Sequence, residues 1–257
     1  MAATSDIAAE LIDAARTRRA LPRPFTERGE LDVETAYAIQ QEVVDARLAE
    51  GSALIGAKLG LTSLAKQRQM GVDRPLYGWL TGDMVHPLGS PLDLSRFIHP
   101  RAEPEIAFLL GAEIAAPANA ETVLAATESV VPAIEIIDSR YDGFRFRHAD
   151  VIADNASSAA FVIGDRPRPV DEVGDLRTCP CVLRVDGQVV ATAVGAAVLG
   201  HPAESVAWLV NELHRRGRRL AAGSLVLSGA LTDAVPITAG STVSAEFDGL
   251  GAVELHA

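Results

Sequence analysis

Three glutamates lie inside runs that a chain of this length must bury. Glu103 and Glu105 open Glu103-Pro-Glu-Ile-Ala-Phe-Leu-Leu110, and Glu135 sits within Val130-Val-Pro-Ala-Ile-Glu-Ile-Ile137. A buried carboxylate is costly unless it is paired or binds a metal. Both runs read as strands, and residues two apart in a strand share a face. Glu103 and Glu105 therefore present two carboxylates to one side, where like charges raise one pKa unless a cation neutralises them. Glu135 offers a third oxygen donor from a separate strand. No cysteine or histidine cluster accompanies them, so the set suits Mg²⁺ or Mn²⁺ rather than zinc. The competing reading makes them strand-end surface residues, or partners for Arg101 and Arg140.

The basic residues add a second signal. Of 23, only Lys58 and Lys66 are lysines, and an ammonium is not interchangeable with a guanidinium. Lys66 lies in polar Ala65-Lys-Gln-Arg-Gln69, where chance suffices. Lys58 lies in apolar, glycine-rich Ala53-Leu-Ile-Gly-Ala-Lys-Leu-Gly-Leu61. It either snorkels from an edge or faces a polar cavity, and the cavity reading is preferred.

Other classes are excluded on composition. The net charge is −11, and the one basic cluster, Arg215 to Arg219, decorates a helix C-terminus, where cations suit the dipole. Nucleic-acid binding is not expected. No apolar run reaches about 18 residues, so no membrane span is expected, and the N-terminus has no basic signal region. Cys179 and Cys181 read as idle thiols in a reducing cytoplasm. There is no Gly-x-Ser-x-Gly elbow, P-loop or dinucleotide fingerprint. Asp154, Asn155 and Ser157 form a polar group that could contact a ligand or close an Asx-turn.

The walk along the chain predicts two N-terminal helices, capped by Asp6 and Asp32 and separated by Pro22 and Pro24. A strand follows over 54–61, then a short helix from Ser63 to Gly71, and a turn over Pro75-Leu-Tyr-Gly78. Strands are predicted over 104–114, 131–138, 158–163 and 225–228, and helices over 118–128 and 202–216. Asp186-Gly187 and Asp248-Gly249 mark hairpins. The βαβ alternation is too irregular for a TIM barrel or a doubly wound sheet. The expected fold is mixed α/β (α+β): a curved β-sheet roll with peripheral helices. Residues 1–52 form an N-terminal helical segment on a body over 53–257, all in one structural domain.

A set of motifs in fixed order then identifies a resemblance. Gly56-Ala-Lys-Leu-Gly-Leu-Thr-Ser63, Met70-Gly-Val-Asp-Arg-Pro-Leu-Tyr-Gly78, Glu103-Pro-Glu-Ile-Ala-Phe108 and Pro132-Ala-Ile-Glu-Ile-Ile-Asp-Ser-Arg140 are followed by Ile152-Ala-Asp-Asn-Ala-Ser157, Gly200-His-Pro202 and Leu227-Ser-Gly229. From about residue 30 onward the chain resembles the hydratase/decarboxylase branch of the fumarylacetoacetate hydrolase superfamily, enzymes of aromatic meta-cleavage catabolism. The resemblance implies a β-roll, Mg²⁺ or Mn²⁺ held by Glu103, Glu105 and Glu135, and a catalytic lysine at Lys58. It implies a 2-oxo dicarboxylate substrate and homo-oligomers that associate with a pathway hydratase. Leu76 stands where hydratases carry Asp in Pro-Asp-Phe-Gly. Ser139-Arg-Tyr-Asp-Gly-Phe144 replaces their Ser-Arg-Ile-x-Asp-Trp. Both departures resemble the decarboxylases, since Leu76 cannot deprotonate water. Leu76, Arg140, Asn155, Ser157 and Ser228 are candidate substrate contacts. Near a metal in an apolar pocket, Lys58 is expected to have a lowered pKa. No His-Glu dyad of the acylpyruvate-hydrolase kind precedes the body.

Overall fold

The structure, a computed structural model, describes residues 4–257. In chain order the elements are α1 (Thr4–Thr17), α2 (Val33–Ala49), β1 (Leu54–Gly60), α3 (Leu64–Met70), β2 (Leu76–Thr81), β3 (Arg101–Leu110), α4 (Ala120–Ala126) and β4 (Thr127–Ile137). They continue as α5 (His148–Ala153), β5 (Ser158–Ile163), β6 (Arg168–Pro169), β7 (Pro180–Val185), β8 (Gln188–Val194), α6 (Pro202–Arg215), β9 (Leu225–Leu227), β10 (Val235–Pro236), β11 (Thr242–Phe247) and β12 (Gly251–His256).

The larger sheet runs β2-β1-β9-β3-β4-β5, with β10 beside β3 and β6 beside β4. Its pairs are antiparallel except β1 with β9. The second sheet, β12-β11-β7-β8, is built from the two Asp-Gly hairpins, and β11 and β12 lie against β4. This is the expected mixed, curled sheet with helices at its periphery.

The helices follow from their apolar spacing and caps. Asp32 caps α2 by accepting from the Thr35 amide, which satisfies one of the free N–H groups of the first turn. Asp6, expected as a cap, lies within the first turn of α1 instead. One face of α1 buries Ile7, Leu11 and Ala14. On α2, Tyr37 stacks on Tyr77 with ring centres 4.6 Å apart. Gln40 donates to the Tyr77 and Ile152 carbonyls, at 2.9 Å each. A single hydrophobic cluster includes Leu11, Ile39, Leu76 and Ile134, so the core is continuous from the N-terminal helices into the sheet.

Some boundaries differ from the sequence reading. In the expected turn at Pro75–Gly78, residues Leu76 to Gly78 are the start of β2, a strand buried along its length and paired with β1. Proline and glycine suggest a turn locally, but the apolar aromatic run and a waiting partner strand decide the outcome. Gly78 serves close approach: a Cβ there would lie 2.6 Å from the Asn155 carbonyl oxygen. The strand expected over 104–114 spans Arg101–Leu110. The helix expected over 118–128 shortens to α4, where Asn119 and Thr122 form a capping box.

Candidate functional site

The antiparallel register of β3 and β4 places Glu103 directly opposite Glu135. Glu105 is two residues further along the same face of β3. One carboxylate oxygen of each lies within 4.8 Å of the others. Glu105 and Glu135 are wholly buried, and Glu103 is half-buried.

Few partners compensate these charges. Glu105 Oε2 accepts from the Gly229 amide at 2.7 Å, while Glu105 Oε1 and Glu135 Oε1 have no hydrogen-bond partner among the described residues. Glu135 Oε2 forms an ion pair with the Lys58 ammonium at 2.9 Å. Burial raises the pKa of Glu105 well above the usual carboxylate range, the Glu135 charge adds to this, and Lys58 offsets only part. Burial likewise raises Glu103, against the pull of Lys58. Buried, unpartnered oxygens in an all-carboxylate set are what a hard divalent cation requires. The donor set therefore fits Mg²⁺ or Mn²⁺.

Lys58 is buried on β1, and its Nζ also donates to the Ala156 carbonyl at 3.1 Å. The expected lowering of its pKa does not occur among these protein groups. Burial lowers it, but the charges of Glu135, Glu103 and Glu105 together outweigh burial and raise it. The sequence reading weighed the apolar surroundings and the metal, not three carboxylates facing one ammonium.

The Ala156 carbonyl reaches Lys58 from an unusual turn. Asn155, Ala156 and Ser157 all have left-handed backbones, with φ of 49°, 56° and 57°. Such conformations are costly for residues other than glycine. The Asn155 side chain fixes the turn by accepting from the Trp79 amide at 2.8 Å and donating to the Trp79 carbonyl at 2.9 Å.

A cavity of about 500 Å³ opens over this group, with Lys58, Glu103, Leu76, Ser157, Arg101 and Lys66 in its wall. The structure thus brings Lys58, the glutamates, Leu76 and Ser157 together. Ser157 also donates to Asp154 at 3.2 Å. Asn155 is committed to Trp79. Arg140 lies outside the cavity wall, buried in an ion pair with Asp154 and donating to the Asp138 and Asp154 carbonyls. Ser228 is also outside the wall; its Oγ is buried with no hydrogen-bond partner among the described residues, next to Gly229.

Two cavity residues were missed in the sequence. Lys66 forms an ion pair with Asp233 at 3.1 Å; its rarity as a lysine was the available signal. Arg101 lies with its guanidinium 4.4 Å from the centre of the Phe144 ring. Its place one step beyond Glu103 on the same strand face was legible.

The family profile described as fumarylacetoacetate (FAA) hydrolase C-terminal matches residues 54–256. The chain is 42% identical to 4-oxalocrotonate decarboxylase of Pseudomonas sp. (strain CF600) over 234 residues, covering 91% of this chain and 88% of that protein. It is 43% identical over 223 residues to 2-keto-4-pentenoate hydratase of Burkholderia vietnamiensis, covering 86% of this chain and 85% of that one. Among solved structures, 4-oxalocrotonate decarboxylase from Pseudomonas putida G7, complexed with magnesium and adipate, superposes with a TM-score of 0.93 at 37% identity. That match covers 100% of this chain and 98% of the other.

Proposed function

The chain belongs to the fumarylacetoacetate hydrolase family, and within it we propose a metal-dependent carboxy-lyase that converts 2-oxo-3-hexenedioate (4-oxalocrotonate) to 2-hydroxypenta-2,4-dienoate and CO₂. The observation that carries this reading is the Glu103–Glu105–Glu135 trio, two of its members wholly buried, beside Lys58 in a chain with decarboxylase relatives. Glu103, Glu105 and Glu135 would hold Mg²⁺ or Mn²⁺, which when bound supplies positive charge for the C2 oxygen as electrons arrive there.

The substrate is a vinylogous β-keto acid. As the C5–C6 bond breaks and CO₂ leaves, its electron pair moves through the conjugated chain to the C2 oxygen. Lys58, an ammonium held by Glu135 and Ala156, is placed to orient that oxygen and to donate it a proton. Leu76 gives the wall an apolar side chain that cannot bind or deprotonate water. A dry wall favours loss of charge as a carboxylate becomes neutral CO₂. Of the two serines expected to contact substrate, Ser157 is the one that lines the cavity, where it could hold the substrate.

The second reading is hydration of 2-hydroxypenta-2,4-dienoate on the same scaffold, which the hydratase relative supports. Leu76 counts against it. With Mg²⁺ and 2-oxo-3-hexenedioate, CO₂ and the dienol absorbance are expected to appear together. Hydration of the dienol without any CO₂ release from the dicarboxylate would replace the decarboxylase reading with the hydratase one. Assembly into homo-oligomers, and association with a pathway hydratase, belong to the same proposal. Exposed Val189, Val190 and Val194 on edge strand β8 give a second copy an apolar edge to cover.

A further inference from the structure

Glu105, Glu103 and Arg101 alternate along β3, so one strand face carries two carboxylates and then a guanidinium. Successive members are about 6.6 Å apart along the strand. Glu105 is wholly buried, whereas Glu103 and Arg101 are half-buried. The face therefore runs from the acidic trio to a cation, with Glu103 and Arg101 both in the wall of one cavity.

The three cations of that wall are not equivalent. Lys58 is matched by Glu135, and Lys66 by Asp233. Arg101 has no carboxylate partner among the described residues, and its guanidinium lies over Phe144, which also lines the cavity. Stacking fixes the plane of a guanidinium while leaving its edge N–H donors available. An unpaired, preoriented fork at the edge of an acidic site, in a chain of net charge −11, fits one kind of group: a carboxylate brought by the ligand.

We propose that Arg101 anchors the distal carboxylate of a dicarboxylate whose 2-oxo acid end lies at the glutamate trio. This rests on the decarboxylase reading for the reaction, but not for the binding. A six-carbon chain spans one alternation of the strand, so a monocarboxylate of equal length reaches Arg101 with nothing to pair. The carboxylate held by Arg101 is the one that departs as CO₂. The contact is therefore made in the ground state and weakened as charge leaves, so Arg101 acts in selecting the substrate and not in the bond-breaking step.

The test compares adipate with hexanoate, by titration calorimetry on the Mg²⁺-loaded protein and its Arg101→Met variant. Wild type is expected to prefer adipate. Arg101→Met is expected to weaken adipate by about tenfold or more and to leave hexanoate unchanged. Arg101→Lys is expected to retain part of the preference, and it covers a failure of the methionine variant to fold. An unaltered melting shift on adding Mg²⁺ verifies the metal end. In turnover, KM for 2-oxo-3-hexenedioate is expected to rise by the same factor, with kcat within a few-fold. Equal weakening of both ligands, an unchanged adipate affinity, or loss of the preference in Lys66→Met but not in Arg101→Met overturns the proposal. If wild type releases no CO₂ yet loses its adipate preference on Arg101→Met, the reaction is wrong and the anchor stands.

Discussion

Asn155 has both ends of its amide bound to the Trp79 backbone, so it acts on the site through the turn that it fixes. That turn holds three consecutive left-handed residues, each costing roughly 1–3 kcal/mol, and it delivers the Ala156 carbonyl to Lys58. Asn155→Ala leaves a buried N–H and C=O unpaired, at about 1–3 kcal/mol each, and frees the turn to relax. Stability is expected to fall by about 2–4 kcal/mol. The kcat is expected to fall about tenfold or more, because Lys58 loses its fixed acceptor. Mg²⁺ affinity should hold, since the glutamates lie on β3 and β4. Gly78→Ala should behave alike, its Cβ meeting the Asn155 carbonyl. Unimpaired kcat in a destabilised Asn155→Ala protein would make the turn structural only. The sequence exposed Asn155 as a polar residue among apolar ones. It could not show that the amide is satisfied by a strand 76 residues away.

The β3–β4 pair was the most legible element, because its unusual feature is local: acidic residues at strand spacing in apolar runs. Glu103 opposite Glu135 is a like-charge cross-strand pair, which is destabilising without compensation. Glu105→Gln removes a carboxylate whose ionised form is disfavoured by burial and by Glu135. The metal-free variant is therefore expected to melt a few degrees above metal-free wild type, at roughly 2–4 °C per kcal/mol, and to gain nothing from Mg²⁺. Activity with metal still bound in that variant would remove Glu105 from the ligand set. Legibility failed where partners are distant in sequence. Pro75–Gly78 reads as a turn until β1 pairs with it, and Arg140 reads as a ligand contact until Asp154 takes it. The basic cluster after α6 is likewise used internally, with Arg216 on Glu34 and Glu212, and Arg219 on Glu113. Cys181, on β7, and Cys179, just before it, allow a check of the second sheet. Burial pushes the Cys179 thiol up to about 11 and the Cys181 thiol up to about 12. Neither should react with a disulfide reagent at pH 8 until the protein unfolds, when both should. Fast labelling of the native protein would mean that β7 opens.

At the scale of the whole molecule, pH and metal should act on stability in opposite directions. Glu103 and Glu105 have folded pKa values raised above the ordinary 4.5. A raised folded pKa gives stability that is complete below the unfolded value and is lost as pH rises through the folded one. Metal-free protein should therefore melt at lower temperature as pH climbs from about 4.5 towards neutrality, while Lys58, also raised, stays an ammonium throughout. A divalent cation needs the deprotonated carboxylates, so its affinity rises over the same interval. At 100 times its Kd it adds about 2.7 kcal/mol to the folded state. The gap between melting temperatures with Mg²⁺ and with chelator should thus widen with pH. Mg²⁺ binding near neutrality should release protons, measurable as a dependence of the calorimetric enthalpy on the buffer's ionisation enthalpy. A constant melting gap together with a buffer-independent enthalpy would mean that the trio is already fully ionised without metal. The protein alone would then compensate these glutamates, and the absence of any Mg²⁺-dependent melting gap at every pH would end the case for a cation held by Glu103, Glu105 and Glu135.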